Sequence, residues 1–128
     1  MLPYMKKQEI HKLRDYLLNA TNYFEFGSGG STVYACNMGV PNIISIENDS
    51  KWYNKLTNIA IIKQYIQNQK LQIKLYDLKC IWWKHVSWGN PPESIENIDK
   101  TEWESYSTSI LECDKIQDLV LIDGRLRV

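Results

Sequence analysis

The stretch "NYFEFGSGGSTVYACNM" (22–38) constrains the fold more than any other part of the chain. An apolar run ends at Phe26. Gly27, Gly29 and Gly30 follow within four residues, and a helix-forming segment then begins. A strand that enters a helix through such a turn brings bare main chain and helix N–H groups to whatever lies beyond the strand's carboxyl end. Ser31 stands where it can cap that helix, and Gly39 where it can end it.

The other segments continue the alternation. "NIISI" (42–46) is almost wholly aliphatic, the character of a strand buried on both faces. Asp49 or Ser50 then caps a helix, and Trp52, Leu56, Ile59, Ile62 and Ile66 recur at helical spacing, predicting one helix to about residue 68. "LQIKLY" (71–76) alternates like a strand, and "DLVLID" (118–123) is the clearest strand of all. A leading helix is predicted over 5–19, with Ile10, Leu13 and Leu17 on one face, and another around Trp103, Tyr106, Ile110 and Leu111. Residues 77–100 form a long connection carrying Trp82, Trp83, His85 and Trp88. This order predicts a single α/β domain, with a parallel sheet and right-handed crossovers. In such sheets ligands sit outside the carboxyl ends of the strands, where strand order reverses.

Composition works by exclusion. The chain has 128 residues and a formal net charge of zero, so no general attraction to nucleic acid or to an anionic membrane is expected. No apolar stretch is long enough to span a bilayer, and "MLPYMKKQEIHKL" does not read as a signal peptide. Cys36, Cys80 and Cys113 are scattered and odd in number, fitting neither a disulfide framework nor a zinc site. No metal is expected, and the expected compartment is the reducing cytoplasm.

Two cofactor patterns fail at the glycine turn. The dinucleotide fingerprint needs a third glycine where Thr32 stands, and no Gly-Lys-Ser/Thr follows to make a phosphate-binding loop. An acid does stand at the end of the second strand. Glu47 lies 20 residues beyond Gly27, the spacing at which a carboxylate reaches ribose hydroxyls in a βαβ unit.

The run Glu25-Phe26-Gly27-Ser28-Gly29-Gly30-Ser31 resembles the first motif of the class I, Rossmann-like S-adenosylmethionine-dependent methyltransferases, an acid followed by a glycine-rich turn. Here Ser31 takes the place of the last glycine, and Gly30 stands one position earlier. With "ISIENDSKW", "SWGNP" and "DLVLIDGRLRV", the chain is similar to small, uncharacterised members of that family. The resemblance implies a three-layer sandwich with a mostly parallel sheet in the order 3-2-1-4. It implies S-adenosyl-L-methionine as cofactor, with Glu47 at the ribose and the adjoining Asn48 also in the cofactor site. Gly27, Ser28, Gly29 and Gly30 would face the methionine part, with Glu25 near it and Asp77 near the adenine.

At the end of the fourth strand, the resemblance implies that Asp123 faces the methyl acceptor. It would orient the acceptor or serve as a weak base, the alternative being a loop cap. Arg125 would contact an anionic acceptor or form a surface ion pair. The tryptophan-rich connection reads as a lid or, more simply, as loop packing. His85 is a base or an exposed loop residue. Trp52, Leu56 and Ile59 are taken as core, and Cys36 as a small buried residue.

The implied activity is methyl transfer to an unidentified acceptor. The alternative is an inactive remnant that binds cofactor or a protein partner. The family's sheet is seven-stranded, and the sequence ends soon after the fourth strand, so "LVLI" is expected at a sheet edge, where it can pair with a second copy.

Overall fold

In a computed structural model of the chain, the described residues are 3–76 and 100–122. Helix α1 (Lys7–Asn19) leads into strand β1 (Asn22–Phe26), α2 (Gly30–Asn37) and β2 (Asn42–Glu47). Then come α3 (Ser50–Leu56), α4 (Ala60–Gln67) and β3 (Leu71–Leu75). After the connection, α5 (Lys100–Thr108), a 3₁₀ turn (Ser109–Glu112) and β4 (Leu119–Ile122) complete the described chain. The strands form one parallel sheet in the order β3-β2-β1-β4. Strand order reverses between β1 and β4, as the family resemblance implies.

Side chains alternate across a strand, so each sheet face draws every second residue. One face carries Tyr23, Ile43, Leu71 and Ile73, packed with Leu13 and Leu17 of α1, Val33, Ala35 and Cys36 of α2, and Ile62 and Tyr65 of α4. The other carries Phe24 and Ile46, covered by Tyr106 of α5 and edged by Phe26 and Ile110. Three layers result. Each fully buried side chain of this size contributes about 1.5–3 kcal/mol relative to exposure, which fixes the strand register strongly. The same alternation turns Glu25 and its cross-strand partner Ser45 toward the α2 side. The polar residues of the site therefore share a layer with the larger core.

Three expectations need correction. Ser31 does not cap α2: Gly29 is the N-cap, and the Ser31 hydroxyl donates to Glu25 instead. The single helix expected to residue 68 is two helices. Thr57 Oγ1 and Asn58 Nδ2 both donate to the Asn54 carbonyl, at 3.1 and 2.8 Å, and so compete with the helical main-chain bond. The leading helix starts at Lys7 rather than residue 5, with the Lys6 N–H donating to Glu9 Oε2 at 2.8 Å.

Candidate functional site

The turn after β1 lies at the carboxyl ends of β1 and β2. The Gly27 N–H donates to the Ile46 carbonyl at 2.8 Å, binding the start of the turn to β2. Gly27 has φ +95°, a conformation that L side chains rarely adopt. Gly29 has φ 166°, which is extended backbone. The turn bends on Gly27, and both Gly27 and Gly30 remain partly exposed.

The peptide of Ser28 is gripped at both ends. Its N–H donates to Glu47 Oε1 at 3.1 Å, and its carbonyl accepts the indole Nε1–H of Trp52 at 2.7 Å. Glu47 Oε2 accepts the Asp49 N–H at 2.9 Å. Asp49 also caps α3, its Oδ1 accepting the N–H groups of Lys51 and Trp52 at 3.0 and 3.2 Å. That cap places Trp52 in the first turn of α3, beside the glycines. Trp52 is half-buried and covers the turn, so its reading as plain core needs correction. The available signal was its position five residues after Glu47 behind a capping aspartate.

Glu25 lies beneath the turn and is fully buried. It accepts from Thr32 Oγ1 at 2.8 Å and from Ser31 Oγ at 3.2 Å, while Thr32 Oγ1 accepts the Gly29 N–H at 2.9 Å. Ser45 bonds Ser28 through their hydroxyls, and also reaches Glu25. A buried polar network therefore runs from Glu25 through Ser45 and Ser28 to Glu47.

Burial pushes the Glu25 carboxyl from 4.5 up to about 7, partly offset by bonds from Thr32 and Ser31. Burial likewise pushes Glu47 up to about 7, against the opposing effect of main-chain bonds from Asp49 and Ser28. Burial, and then the charge of Glu25, lift the Cys36 thiol to about 12, so Cys36 is a packing residue without thiolate character.

Asn48 is 5% exposed, and its Nδ2 is buried without a hydrogen-bond partner among the described residues. The structure thus brings together Glu25, Gly27, Ser28, Gly29, Gly30, Glu47 and Asn48, and adds Trp52 and Ser45. Asp77, Asp123, Arg125, His85, Trp82, Trp83 and Trp88 lie outside the described residues. A cleft of about 490 Å³ opens at the opposite end of the sheet, among Asn22, Asn42, Lys70, Asp114 and Lys115. It lies at the amino ends of the strands, away from the glycine turn.

A methyltransferase-like protein from Silicibacter pomeroyi has a similar crystal structure. The TM-score is 0.66 at 24% sequence identity, over 98% of this chain. The chain has a methyltransferase-like fold. It spans 62% of the length of that protein. No protein-family model matches the sequence, and no curated protein matches it. Among the described residues, no helix is long and apolar enough to cross a membrane.

Proposed function

We propose that this methyltransferase-like domain binds S-adenosyl-L-methionine at the carboxyl ends of β1 and β2, and serves methyl transfer. One observation carries the reading: the Glu47 carboxylate meets the main chain of the glycine turn at Ser28. An adenosyl ligand needs an acceptor for ribose hydroxyls next to an open main-chain surface. A carboxylate has about four acceptor sites, so Glu47 retains capacity for a hydroxyl beyond its main-chain bonds from Ser28, Asp49 and Asn48. Asn48, the adjoining residue, adds a buried Nδ2 donor that no described residue takes up.

The residues also fit this cofactor better than a dinucleotide. A pyrophosphate would sit on the helix N-terminus after β1. In this chain the Glu25 carboxylate already takes the Ser31 and Thr32 hydroxyls in the first turn of α2. Its charge complements the helix dipole there and would repel a phosphate. When bound, S-adenosylmethionine supplies an electrophilic methyl group on sulfur. The chain's own part is to hold the ribose at Glu47, shape the turn through Trp52 and Glu25, and align an acceptor, since positioning provides much of such a rate. Asp77 at the adenine, and Asp123 and Arg125 at the acceptor, complete the reading.

Calorimetry with S-adenosylmethionine tests it. Binding is expected, with no competition from NAD. Absence of heat from folded protein at millimolar ligand overturns it. Glu47→Ala is expected to lose charged hydrogen bonds worth about 1.5–3 kcal/mol, roughly a ten- to hundredfold weakening. Unchanged affinity in a folded variant removes the ribose assignment.

A second reading, a protein-interaction module, is favoured by β4. Among the described strands it lies at the sheet's edge beside β1, with Val120 39% and Ile122 57% exposed.

A further inference from the structure

The cleft at the amino ends of the strands, about 490 Å³, lies at the far end of the sheet from the glycine turn. Carboxamides dominate its polar lining: Asn22, Asn42, Gln69, Gln72 and Gln117. Asn22 and Asn42 are register partners on β1 and β2, and Gln72 of β3 stands opposite Ile44. Alternation puts all three on one sheet face, the face that Tyr106 of α5 covers further along. Asp118 accepts the Asn22 N–H at 2.8 Å and fixes where that residue stands. Asn42 Nδ2 donates to Asn22 Oδ1 at 3.2 Å. A carboxamide carries two donor hydrogens and two acceptor lone pairs, so this bond leaves Asn42 Oδ1 able to accept and Asn22 Nδ2 able to donate.

Gln69 is an independent sign at the same place. It holds φ +59° after α4, where Gly39 occupies the matching position after α2. A residue with a Cβ is strained in that conformation, and Gln69 is exposed, so no core packing offsets the strain. Backbone strain of this kind is held chiefly at functional sites, and Gln69 lines the cleft. Charge plays a smaller part. The Lys70 ammonium is engaged over the Tyr65 ring, 5.6 Å from its centroid, and the adjacent Asp114 and Lys115 are of opposite sign. The apolar part of the lining is aliphatic, with Ile44 and Ile66 among it. Ile116, between two lining residues, is 91% exposed.

We propose that this cleft is a second binding site, one that takes a short, uncharged peptide segment by its main chain. Each peptide group offers one N–H donor and one carbonyl acceptor, the complement of a carboxamide that accepts and donates. The Asn22–Asn42 pair presents both functions side by side, and Gln69 and Gln72 extend them along the cleft. Ile44, Ile66 and Ile116 meet the apolar side chains of the segment. The inference does not depend on the cofactor reading, because the two sites lie at opposite ends of the sheet.

The test is an NMR titration of the isotope-labelled chain with the blocked dipeptide N-acetyl-alanyl-alaninamide, and with maltose as an uncharged control equally rich in donors and acceptors. The side-chain amide signals of Asn22, Asn42, Gln69 and Gln72 are expected to shift with the dipeptide. A dissociation constant of about 1 mM is expected, the scale for a ligand of that size. Asn42→Ala and Gln69→Gly are each expected to weaken binding about three- to tenfold, the loss of one hydrogen bond. Gln69→Gly should do so while raising the urea midpoint, which separates a binding role from a structural one. No shift in these signals at ten times the expected concentration overturns the inference and leaves the cofactor reading untouched. Shifts confined to other parts of the chain overturn it too. Equal binding of maltose overturns the peptide assignment, and unchanged affinity in both variants overturns the carboxamide role. If Asn42→Ala does not fold, Gln69→Gly and Gln72→Ala decide.

Discussion

Glu25 and Glu47 couple the candidate site to the stability of the whole chain. Below 4.5, the ordinary value, each is protonated in the folded and unfolded chain alike. Between 4.5 and about 7 the folded chain keeps protons that the unfolded chain releases, so stability falls as pH rises through this window. The loss is complete above the folded values and is on the order of 3 kcal/mol for each carboxyl. Asp118 acts in the opposite sense. Bonds from the Asn22 and Thr21 main chain hold it below its ordinary 3.8, so its contribution fades only in more acid solution. Urea unfolding is expected to give a higher midpoint at pH 5.5 than at pH 8, and Glu25→Gln to flatten the slope. A midpoint that rises from pH 5.5 to pH 8 contradicts the burial of these groups as uncompensated carboxyls.

Helix ends decide where the site's elements start and stop. Both α2 and α4 close with the same pair of bonds. Gly39 N–H reaches the Cys36 carbonyl and Val40 N–H that of Ala35; Gln69 N–H reaches Ile66 and Lys70 N–H reaches Tyr65. The residue after each C-cap is left-handed, with φ +78° at Gly39 and +59° at Gln69. Glycine takes this conformation without penalty, whereas Gln69 holds it against the usual steric cost. Gln69→Gly is therefore expected to stabilise the chain, by about 0.5–1 kcal/mol in denaturant unfolding. A loss of stability would mean that the Gln69 side chain contributes more than its backbone strain costs. At the other end of the β2–β3 crossover, the Asp49 cap sets the pitch of α3, and through it the approach of Trp52 to the turn.

At the scale of the molecule, the sheet places the glycine turn beside the reversal point between β1 and β4 and, among the described strands, leaves β4 at its edge. Val120 and Ile122 stand out from that strand, and its sequence "LVLI" carries no charge. An uncharged strand at a sheet edge is a template for pairing, and two copies can meet across a twofold axis without repulsion. Sedimentation is expected to show a dimer that Ile122→Lys converts to monomer. A monodisperse monomer of the natural chain would remove this pairing.

The sequence by itself determined the order of strands and helices, because period and punctuation are local signals. It also pointed to the carboxyl ends of β1 and β2 as the candidate site, since Gly27 and Glu47 mark those ends by spacing alone. Tertiary structure decided the rest. Whether Glu25 faces a ligand or lies under the turn depends on which sheet face α2 covers, and no local pattern encodes that. Trp52 reads as one more apolar residue at helical spacing until the break at Thr57–Ile59 and the Asp49 cap set it against Ser28. The raised proton affinities of Glu25 and Glu47 are likewise a property of the assembled layers, because burial exists only once β1, β2 and α2 have packed.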